Sequence, residues 1–375
     1  MNIAIVASTE GTRRHQILSA ARELGREHRV TIYSRRQSDD SKPRVRVAPG
    51  VVLEHLDVGP SRSLRPEEVA PYIAGVGDEL ARRWTKERPD LVHAHSWTAG
   101  LASVAASAGL GVPVTQTFFA PHRGQHVRLE RALGRRANSV IARCLDEEAE
   151  LIRLGVPREH IAVVPYGVDT ERFRRQGPSA ARGSRPRLLH VGRISAGGGA
   201  PTVIRALAGL PDVELVIAGG PPPELLGGDA DAAGLMALAE QVGVADRVTL
   251  LGQVARTTVP KLMRGADIVV TLPREAGTGT VALEAMACGV PVIASAVGSH
   301  LDSVVDGVTG VLVPPDRPAR TARLTRELLA NPTRRTAIGY AGADRARSRY
   351  SWERIGQELI RVYEDTLTTA APAAQ

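Results

Sequence analysis

The sequence of 375 residues predicts an α/β protein in which two doubly wound, Rossmann-like domains face each other across a cleft. Short β-branched runs alternate with helical segments through both halves of the chain, as parallel strands do with their crossover helices. Aromatic residues make up only 3%, so the cores must consist mainly of Ala, Val, Leu and Ile, which suits parallel sheets covered by helices. The length and the hydrophobic content of 43% suffice for two domains, each with its own core.

The first predicted domain spans residues 1–175. Its predicted strands are Ile3–Ala7, Arg29–Tyr33, Val51–Leu56, Leu91–His95, Val114–Phe118, Val140–Arg143 and Ile161–Val164. Helices are expected near Arg14–Leu24, Glu67–Glu87 and Gly100–Ala108. Residues 176–186 are rich in Gly, Pro, Ser and Arg, which predicts a linker to the next domain.

The second predicted domain spans residues 187–349. Its predicted strands are Arg187–Val191, Leu215–Ala218, Val248–Leu251, Ile268–Leu272, Val292–Ala294 and Val311–Val313. An amphipathic helix is expected over residues 350–367. Because ligands of open α/β sheets bind beyond the carboxyl ends of the strands, we expect the functional residues there.

The basic charge leaves several classes of partner open. The formal net charge is +8, and only three of the 48 basic residues are lysines. Such a charge suits nucleic acid, peripheral contact with an anionic membrane, or anionic small substrates, and it equally suits a solvated, Arg-rich surface. No basic run interleaved with aromatics and no zinc-finger spacing is present in the sequence, so we expect no nucleic-acid partner.

Cysteine usage and the apolar segments indicate where the protein works. Cys144 and Cys288 lie far apart in apolar, helix-like contexts, which favours neither a disulfide framework nor a metal site. The first residues, MNIAIVAS, predict a strand rather than a signal peptide. No apolar run approaches the roughly 20 residues that span a bilayer, so a cytoplasmic location is expected.

The segment from Ala266 to Pro314 carries the clearest ligand-binding pattern. A buried strand leads through Thr278, Gly279 and Thr280 into a helix that starts near Val281 and ends before Gly289. A helix start at the carboxyl edge of a sheet binds anions. Glu284 lies one turn inside this helix, where its carboxylate can accept hydrogen bonds from a vicinal diol such as a ribose. The alternative is an ordinary α/β unit with a solvated glutamate.

Three further positions lie where predicted strands end. Arg193 follows a strand directly and can bind a diphosphate, although it can equally be one more surface arginine. The glycine-rich stretch around Gly198 lets backbone amides approach a phosphate, or forms a flexible loop. His95 ends a strand and can donate to a sugar hydroxyl, whereas a structural role is the usual one for a strand histidine such as His93. Gly11, in the loop after the first strand, is a weak signal.

Several motifs in one order resemble a known family. The chain is similar to the retaining glycosyltransferases of the group-one type, family four in the usual numbering, which have the GT-B fold of two Rossmann-like domains. The resemblance extends from Met1 to Tyr363. It is carried by DLVHAHSWTAGLA, VVPYGVDTERF, HVGRIS, GADIVVTLP, VALEAMACGVPVIASAVGSHLDSVVDGVTGVLVP and RYSWERIGQELIRVYE.

The resemblance implies a donor site for a nucleotide sugar, with UDP expected on family frequency. It implies that the amides of Gly279, Thr280 and Val281, next to Thr278, hold the donor's diphosphate or sugar and that Glu284 binds the ribose. Arg193 would stabilise the departing nucleoside diphosphate, and His95 would contact the sugar's primary hydroxyl. No metal and no cofactor other than the nucleotide sugar is implied. The final helix, residues 350–367, would return to the first domain.

The sequence departs from the family pattern at the donor site. Gly198 stands where the family has a lysine, and Ala276 stands where it has its first acidic residue. Glu275, displaced by one position, is the candidate that takes over the acidic role. In the N-terminal loop, Glu10 replaces one of two glycines and Gly11 retains the other. Losing a charge-assisted contact to the transition state costs about 3 kcal/mol, or about a hundredfold in rate.

Three hypotheses follow. The first is an active hexosyltransferase that transfers a sugar to a small-molecule or glycan acceptor, as in natural-product or envelope glycoside biosynthesis. The second is a catalytically impaired relative that binds a sugar, a nucleotide or a partner protein. A Rossmann oxidoreductase is disfavoured because no GxGxxG follows the first strand.

An anionic acceptor is predicted from residues 119–128 and from four arginines, unless all of these side chains are merely solvated. The arginines are Arg35, Arg36, Arg62 and Arg65.

Overall fold

The computed structural model describes residues 1–7, 14–118 and 126–370. The chain forms two compact units. The first comprises residues 1–165 together with the chain from Trp352 onward, and the second comprises Tyr166–Ser351. Each unit is an α/β layer structure built on a predominantly parallel sheet. This confirms the predicted class of two Rossmann-like α/β domains.

The sheet of the first unit has eight strands within the described residues, in the spatial order β3-β4-β2-β1-β5-β6-β7-β8. They are β1 (Asn2–Val6), β2 (Arg29–Arg35), β3 (Arg44–Ala48), β4 (Val51–Leu56), β5 (Leu91–His95), β6 (Val114–Thr117), β7 (Ser139–Ala142) and β8 (Ile161–Val163). All neighbours pair in parallel except β3, which runs antiparallel to β4 at the sheet edge. Sequence reasoning missed β3, whose residues RVRVA alternate basic and apolar side chains as an edge strand does.

Before the second unit, the described residues form six helices. They are α1 (Arg14–Leu24), α2 (Pro66–Val69), α3 (Ile73–Lys86), α4 (Trp97–Ser107), α5 (Val127–Arg136) and α6 (Leu145–Leu154). The single helix expected near Glu67–Glu87 is divided, because Pro71 lies in a 3₁₀ turn, Ala70–Tyr72, between α2 and α3. α6 shows how the sequence sets a helix: Asp146, Glu147 and Glu148 occupy its first turn, and Gly155 ends it in the left-handed conformation.

The sheet of the second unit is entirely parallel, in the order β11-β10-β9-β12-β13-β14. Its strands are β9 (Arg187–Val191), β10 (Glu214–Ala218), β11 (Val248–Gly252), β12 (Ile268–Thr271), β13 (Val292–Ser295) and β14 (Val311–Val313). Its helices are α7 (Ala200–Leu207), α8 (Ala230–Gln241), α9 (Val259–Arg264), α10 (Thr280–Ala287), α11 (Ser299–Ser303), α12 (Pro318–Ala330) and α13 (Pro332–Tyr350). Further 3₁₀ turns lie at Arg158–His160, Ala196–Gly198, Pro223–Gly228 and Ala245–Arg247.

The last helix, α14 (Trp352–Ala370), belongs to the first unit and packs against α1. Its buried face contributes Ile355, Leu359 and Tyr363 to the core formed with β1 and β2. No described helix combines the length and the apolar character that crossing a membrane requires.

The segment that the sequence marks as a linker lies along the second unit. Arg182 donates to the carbonyls of Gly265 and Ala266 at 2.9 and 2.8 Å and pairs with Asp267. Arg264 donates to the carbonyl of Pro178 at 2.9 Å. Hydrogen bonds to guanidinium groups therefore hold residues 178–182 on this unit.

Candidate functional site

Three loops meet at the carboxyl edge of the sheet in the second unit. They follow β9 (residues 192–199), β12 (residues 272–279) and β13 (residues 296–298). The backbone N–H of Arg274 donates to the carbonyl of Gly197 at 3.2 Å, which joins the first two loops. Ser295 Oγ donates to the carbonyl of Pro273 at 2.8 Å, and Ser299 Oγ donates to that of Gly277 at 3.3 Å. The sheet order thus collects residues that are distant in sequence at one edge.

The β12 loop ends at the start of α10. Gly279 is the N-cap residue with φ +66°, a conformation that favours glycine, and a Cβ there would overlap the side chain of Ser299. Thr280 is the first helical residue, and its Oγ1 lies 3.2 Å from that of Thr278. Because the first N–H groups of a helix lack intrahelical acceptors, the amides of Thr280 and Val281 are suited to bind an anion. The predicted sequence of strand, glycine-containing turn and helix is therefore present, and anion binding at it stays a prediction.

Glu284 lies one turn inside α10 and is 2% exposed. Arg256, in the loop after β11, donates from both terminal nitrogens to the two carboxylate oxygens, one of these distances being 3.0 Å. The Arg256 guanidinium also lies over the ring of Phe173, 4.7 Å from its centroid. Burial raises the pKa of Glu284, and the hydrogen bonds and charge of Arg256 oppose that rise. The sequence predicted Glu284 as a binding residue but not its partner.

Arg193 and Gly198 belong to one tight turn. Arg193 follows β9 after Gly192 and is exposed. A Cβ at Gly198 would overlap the carbonyl oxygen of Arg193, whereas at Gly197 it would meet no atom within 4 Å. A lysine at position 198 is therefore incompatible with this backbone, and position 197 is the place in the loop with room for a side chain.

The acidic candidate lies on the neighbouring loop. Glu275 and Ala276 are both exposed. Arg274, just before them, pairs with Asp316 at 2.7 Å. The contact between the β9 and β12 loops places the Arg193 and Glu275 segments side by side, and the β12 loop continues through Thr278 into α10. The structure thus gathers the donor-site candidates of the second unit at one sheet edge.

His95 is the last residue of β5 in the first unit and is half-buried. Burial and the positive charge of Arg143 lower its pKa to about 3, so the imidazole is neutral near pH 7. A neutral imidazole can donate one N–H to a hydroxyl. The next residue, Ser96, has φ +91° and caps α4, so the chain turns sharply at this point.

His93 has a structural role. Its ring is buried, its Nδ1 lies 2.7 Å from the hydroxyl of Tyr363, and its Nε2 lies 2.8 Å from Oγ1 of Thr117. Burial lowers its pKa well below the usual range. The histidine therefore ties β5 to α14 and β6, which is the role that sequence reasoning regarded as usual for strand histidines.

The first-unit arginines proposed for the acceptor are mostly engaged. Arg35 is 9% exposed and donates to the backbone carbonyls of Arg36, Pro60 and Arg62. Arg62 and Arg65 both pair with Glu68. Arg35 is thus a structural residue that holds the loop after β4. Gly11 and residues 119–125 of the candidate acceptor loop lie outside the described residues.

Metal ligation has no candidate in the described part of the chain, where no three His, Cys, Asp or Glu side chains come together as a group. The positive groups at the edge of the second sheet include the helix start of α10 and the guanidinium groups of Arg193, Arg256 and Arg274, of which Arg256 pairs with Glu284 and Arg274 with Asp316.

Two family models match the chain. One described as glycosyl transferases group 1 matches residues 171–345, and one described as glycosyl transferase 4-like domain matches residues 11–167. Two relatives are called D-inositol 3-phosphate glycosyltransferase. The protein from Xylanimonas cellulosilytica is 32% identical over 92% of this chain and 90% of its own. The protein from Segniliparus rotundus is 33% identical over 92% of this chain and 82% of its own.

Solved structures share the fold. Sucrose-phosphate synthase from Thermosynechococcus elongatus has a TM-score of 0.86 at 23% identity, over 98% of this chain and 99% of its own. Anabaena HepE in complex with UDP and glucose has a TM-score of 0.76 at 21% identity, over 96% of this chain and 98% of its own.

Proposed function

Since the chain belongs to the group 1 glycosyltransferases, and is therefore a transferase enzyme, we propose that it transfers a hexosyl group from a UDP-sugar to a small polyol phosphate with retention of configuration. The observation that carries the proposal is Glu284, a buried carboxylate one turn inside the helix whose start lies at the carboxyl edge of the sheet. In this position Glu284 binds the ribose hydroxyls and the amides of Thr280 and Val281 bind the diphosphate. The complex of HepE with UDP supports a UDP donor.

The proposed reaction exchanges one bond of the sugar's anomeric carbon for another. The bond from this carbon to the diphosphate oxygen breaks with its electron pair going to the diphosphate, and the acceptor oxygen attacks from the same face. The departing diphosphate takes the acceptor's proton, so no dedicated carboxylate base is required. Arg193 stabilises the charge that develops on the leaving diphosphate, and His95 donates its N–H to a sugar hydroxyl.

We propose that no metal and no cofactor besides the nucleotide sugar is required. The guanidinium of Arg193 and the N–H groups at the start of α10 supply positive charge where the diphosphate leaves. Activity unchanged by a chelating agent supports this point, and activity that requires added divalent cation contradicts it. A cytoplasmic location remains a prediction from the sequence.

The acceptor class is proposed from the relatives and the charge. The relatives that match nearly the whole chain are called D-inositol 3-phosphate glycosyltransferase. The net charge of +8 favours encounter with an anionic acceptor. Inositol phosphates are therefore the first acceptors to test, followed by other phosphorylated polyols and glycans.

A panel of nucleotide sugars with inositol phosphates, scored by mass spectrometry, tests the proposal. We expect one donor and acceptor pair to give a glycoside and a nucleoside diphosphate. Arg193→Ala should lower kcat/KM about a hundredfold, because it removes a charge contact to the leaving group. Arg334→Ala, which removes another exposed arginine of the second unit, is the matched control. Turnover unaffected by Arg193→Ala contradicts the assigned role.

A binding protein without turnover is the second candidate, favoured by Gly198 and Ala276 at the donor site. Under this hypothesis, replacing the lost charges raises nucleotide-sugar affinity without any product. Because position 198 has no room for a side chain, the matching variant is Gly197→Lys with Ala276→Glu. Product from the wild-type protein rejects this candidate, and so does an affinity that the double variant leaves unchanged.

A further inference from the structure

The carboxylate of Glu284 is held by one guanidinium that the family pattern did not mark. Glu284 is almost completely buried, and Arg256 binds both of its oxygens from a loop that lies 28 residues earlier in the chain. The Arg256 side chain is 37% exposed, and its guanidinium carbon lies over the Phe173 ring at 4.7 Å from the centroid, a cation–π contact that adds to the hold on the arginine. The arginine of the pair is therefore partly exposed to solvent, while the carboxylate lies beneath it, almost completely buried.

We infer that Arg256 is a positioning residue for nucleotide binding, which holds the Glu284 carboxylate ionised and oriented so that its remaining lone pairs accept the ribose hydroxyls. The inference rests on the proposed function, which places the ribose at Glu284. A carboxylate offers about four lone-pair sites, and the fork of an arginine occupies about two of them. The sites that remain match the two O–H donors of a vicinal diol.

The surroundings of Glu284 leave Arg256 as the compensating cation. Arg172 and Asp169 both act on Glu284, but they carry opposite charges and lie 3.7 Å apart, so that their effects largely cancel. Cys288, the C-cap residue that follows α10, is neutral because burial raises the pKa of its thiol to about 12. Without Arg256, burial would favour a protonated Glu284, which is a poorer acceptor for two hydroxyls.

The first experiment measures the binding of uridine diphosphate by calorimetry between pH 5 and 8.5 for the wild type, Arg256→Gln, Arg256→Lys and the double variant Arg172→Gln with Asp169→Asn. We expect Arg256→Gln to move the pH midpoint at which affinity is lost on acidification upward by about 1–3 units, because an opposite charge lowers a carboxyl pKa by about that amount. Arg256→Lys should keep the midpoint near that of the wild type while weakening binding at every pH, because it retains the charge and loses the fork.

The matched control combines Arg172→Gln with Asp169→Asn, since it removes two neighbouring charges whose effects on Glu284 largely cancel, and Arg172 donates no hydrogen bond to Glu284 among the described contacts. Its midpoint should stay close to that of the wild type. Since the ligand's own diphosphate titrates equally in every measurement, comparison with the wild type at each pH removes its contribution to the pH dependence of the affinity. An Arg256→Gln profile that coincides with the wild-type profile overturns the inference.

The second experiment needs no ligand. We compare the melting temperatures of Arg256→Gln and the double variant Arg256→Gln with Glu284→Gln from pH 5.5 to 8. With its partner removed, Glu284 has a folded-state pKa above its unfolded value, so the folded state binds the extra proton and stability falls as pH rises. We expect the single variant to lose melting temperature relative to the double variant as pH rises, and a pH-independent difference overturns the inference. If the wild type binds no uridine diphosphate, the proposed function fails, and this comparison still decides the charge role of Arg256.

Discussion

A methyl group added to Gly198 would overlap the carbonyl oxygen of Arg193, so Gly198→Ala tests whether the shape of this turn sets the position of the guanidinium. Gly198 also donates its N–H to the carbonyl of Ser195 at 2.8 Å, which limits how far the turn can relax. Forcing an extra methyl group into a tightly packed place costs about 1–3 kcal/mol. For a unit of this size, that corresponds to a fall in melting temperature of about 2–12 °C.

The displacement should also move Arg193 away from the leaving group, which lowers kcat/KM by up to about a hundredfold. Gly197→Ala is the control, because a Cβ there meets no atom within 4 Å, and its stability should stay within about 1 kcal/mol of the wild type. The assays are thermal unfolding and steady-state kinetics on both variants. Equal behaviour of the two variants would refute the claim that the turn positions Arg193.

Two further predictions concern the first unit. Tyr363→Phe removes the hydroxyl that partners the buried His93 Nδ1, so it should lower the free energy of unfolding by about 1–3 kcal/mol. Urea unfolding measures this change, and an unchanged free energy contradicts the structural role of His93. Because the pKa of His95 is lowered to about 3, the folded state binds fewer protons than the unfolded state between about pH 3 and 6.5, and this contribution to stability is lost as pH falls through that range. The His95 ring should remain neutral from pH 5 to 8 in an NMR titration, and a midpoint near 6.5 would contradict this.

Much of the fold was predictable because its parallel strands are short apolar runs with clear boundaries. The sequence-based predictions were wrong where an element depends on pairing with a distant segment or on a single residue. β3 is an edge strand that pairs with β4, and its basic residues interrupt the apolar run that predicts a buried strand. The helix expected near Glu67–Glu87 is broken around Pro71. The segment as a whole has a helical composition, and the effect of this one proline was not predicted from it.

The donor-site loops were predictable because parallel strands bring their carboxyl ends to one edge. The partner of Glu284 was not. A buried carboxylate requires compensation, but nothing in the sequence near Arg256 marks it among many arginines as the residue that provides it. The crowding at Gly198 could not be predicted either, since a glycine in the sequence indicates neither the turn geometry nor the nearby carbonyl of Arg193.

The most direct test of the donor site compares uridine diphosphate with its 2′-deoxy analogue on the wild type and on Glu284→Gln. If Glu284 accepts the ribose hydroxyls, the wild type should bind the deoxy analogue about 10- to 100-fold more weakly, as the loss of a hydrogen bond to a charged group implies. Glu284→Gln should largely abolish this difference. Equal affinity of the wild type for both ligands, or a difference that persists unchanged in Glu284→Gln, would contradict the account.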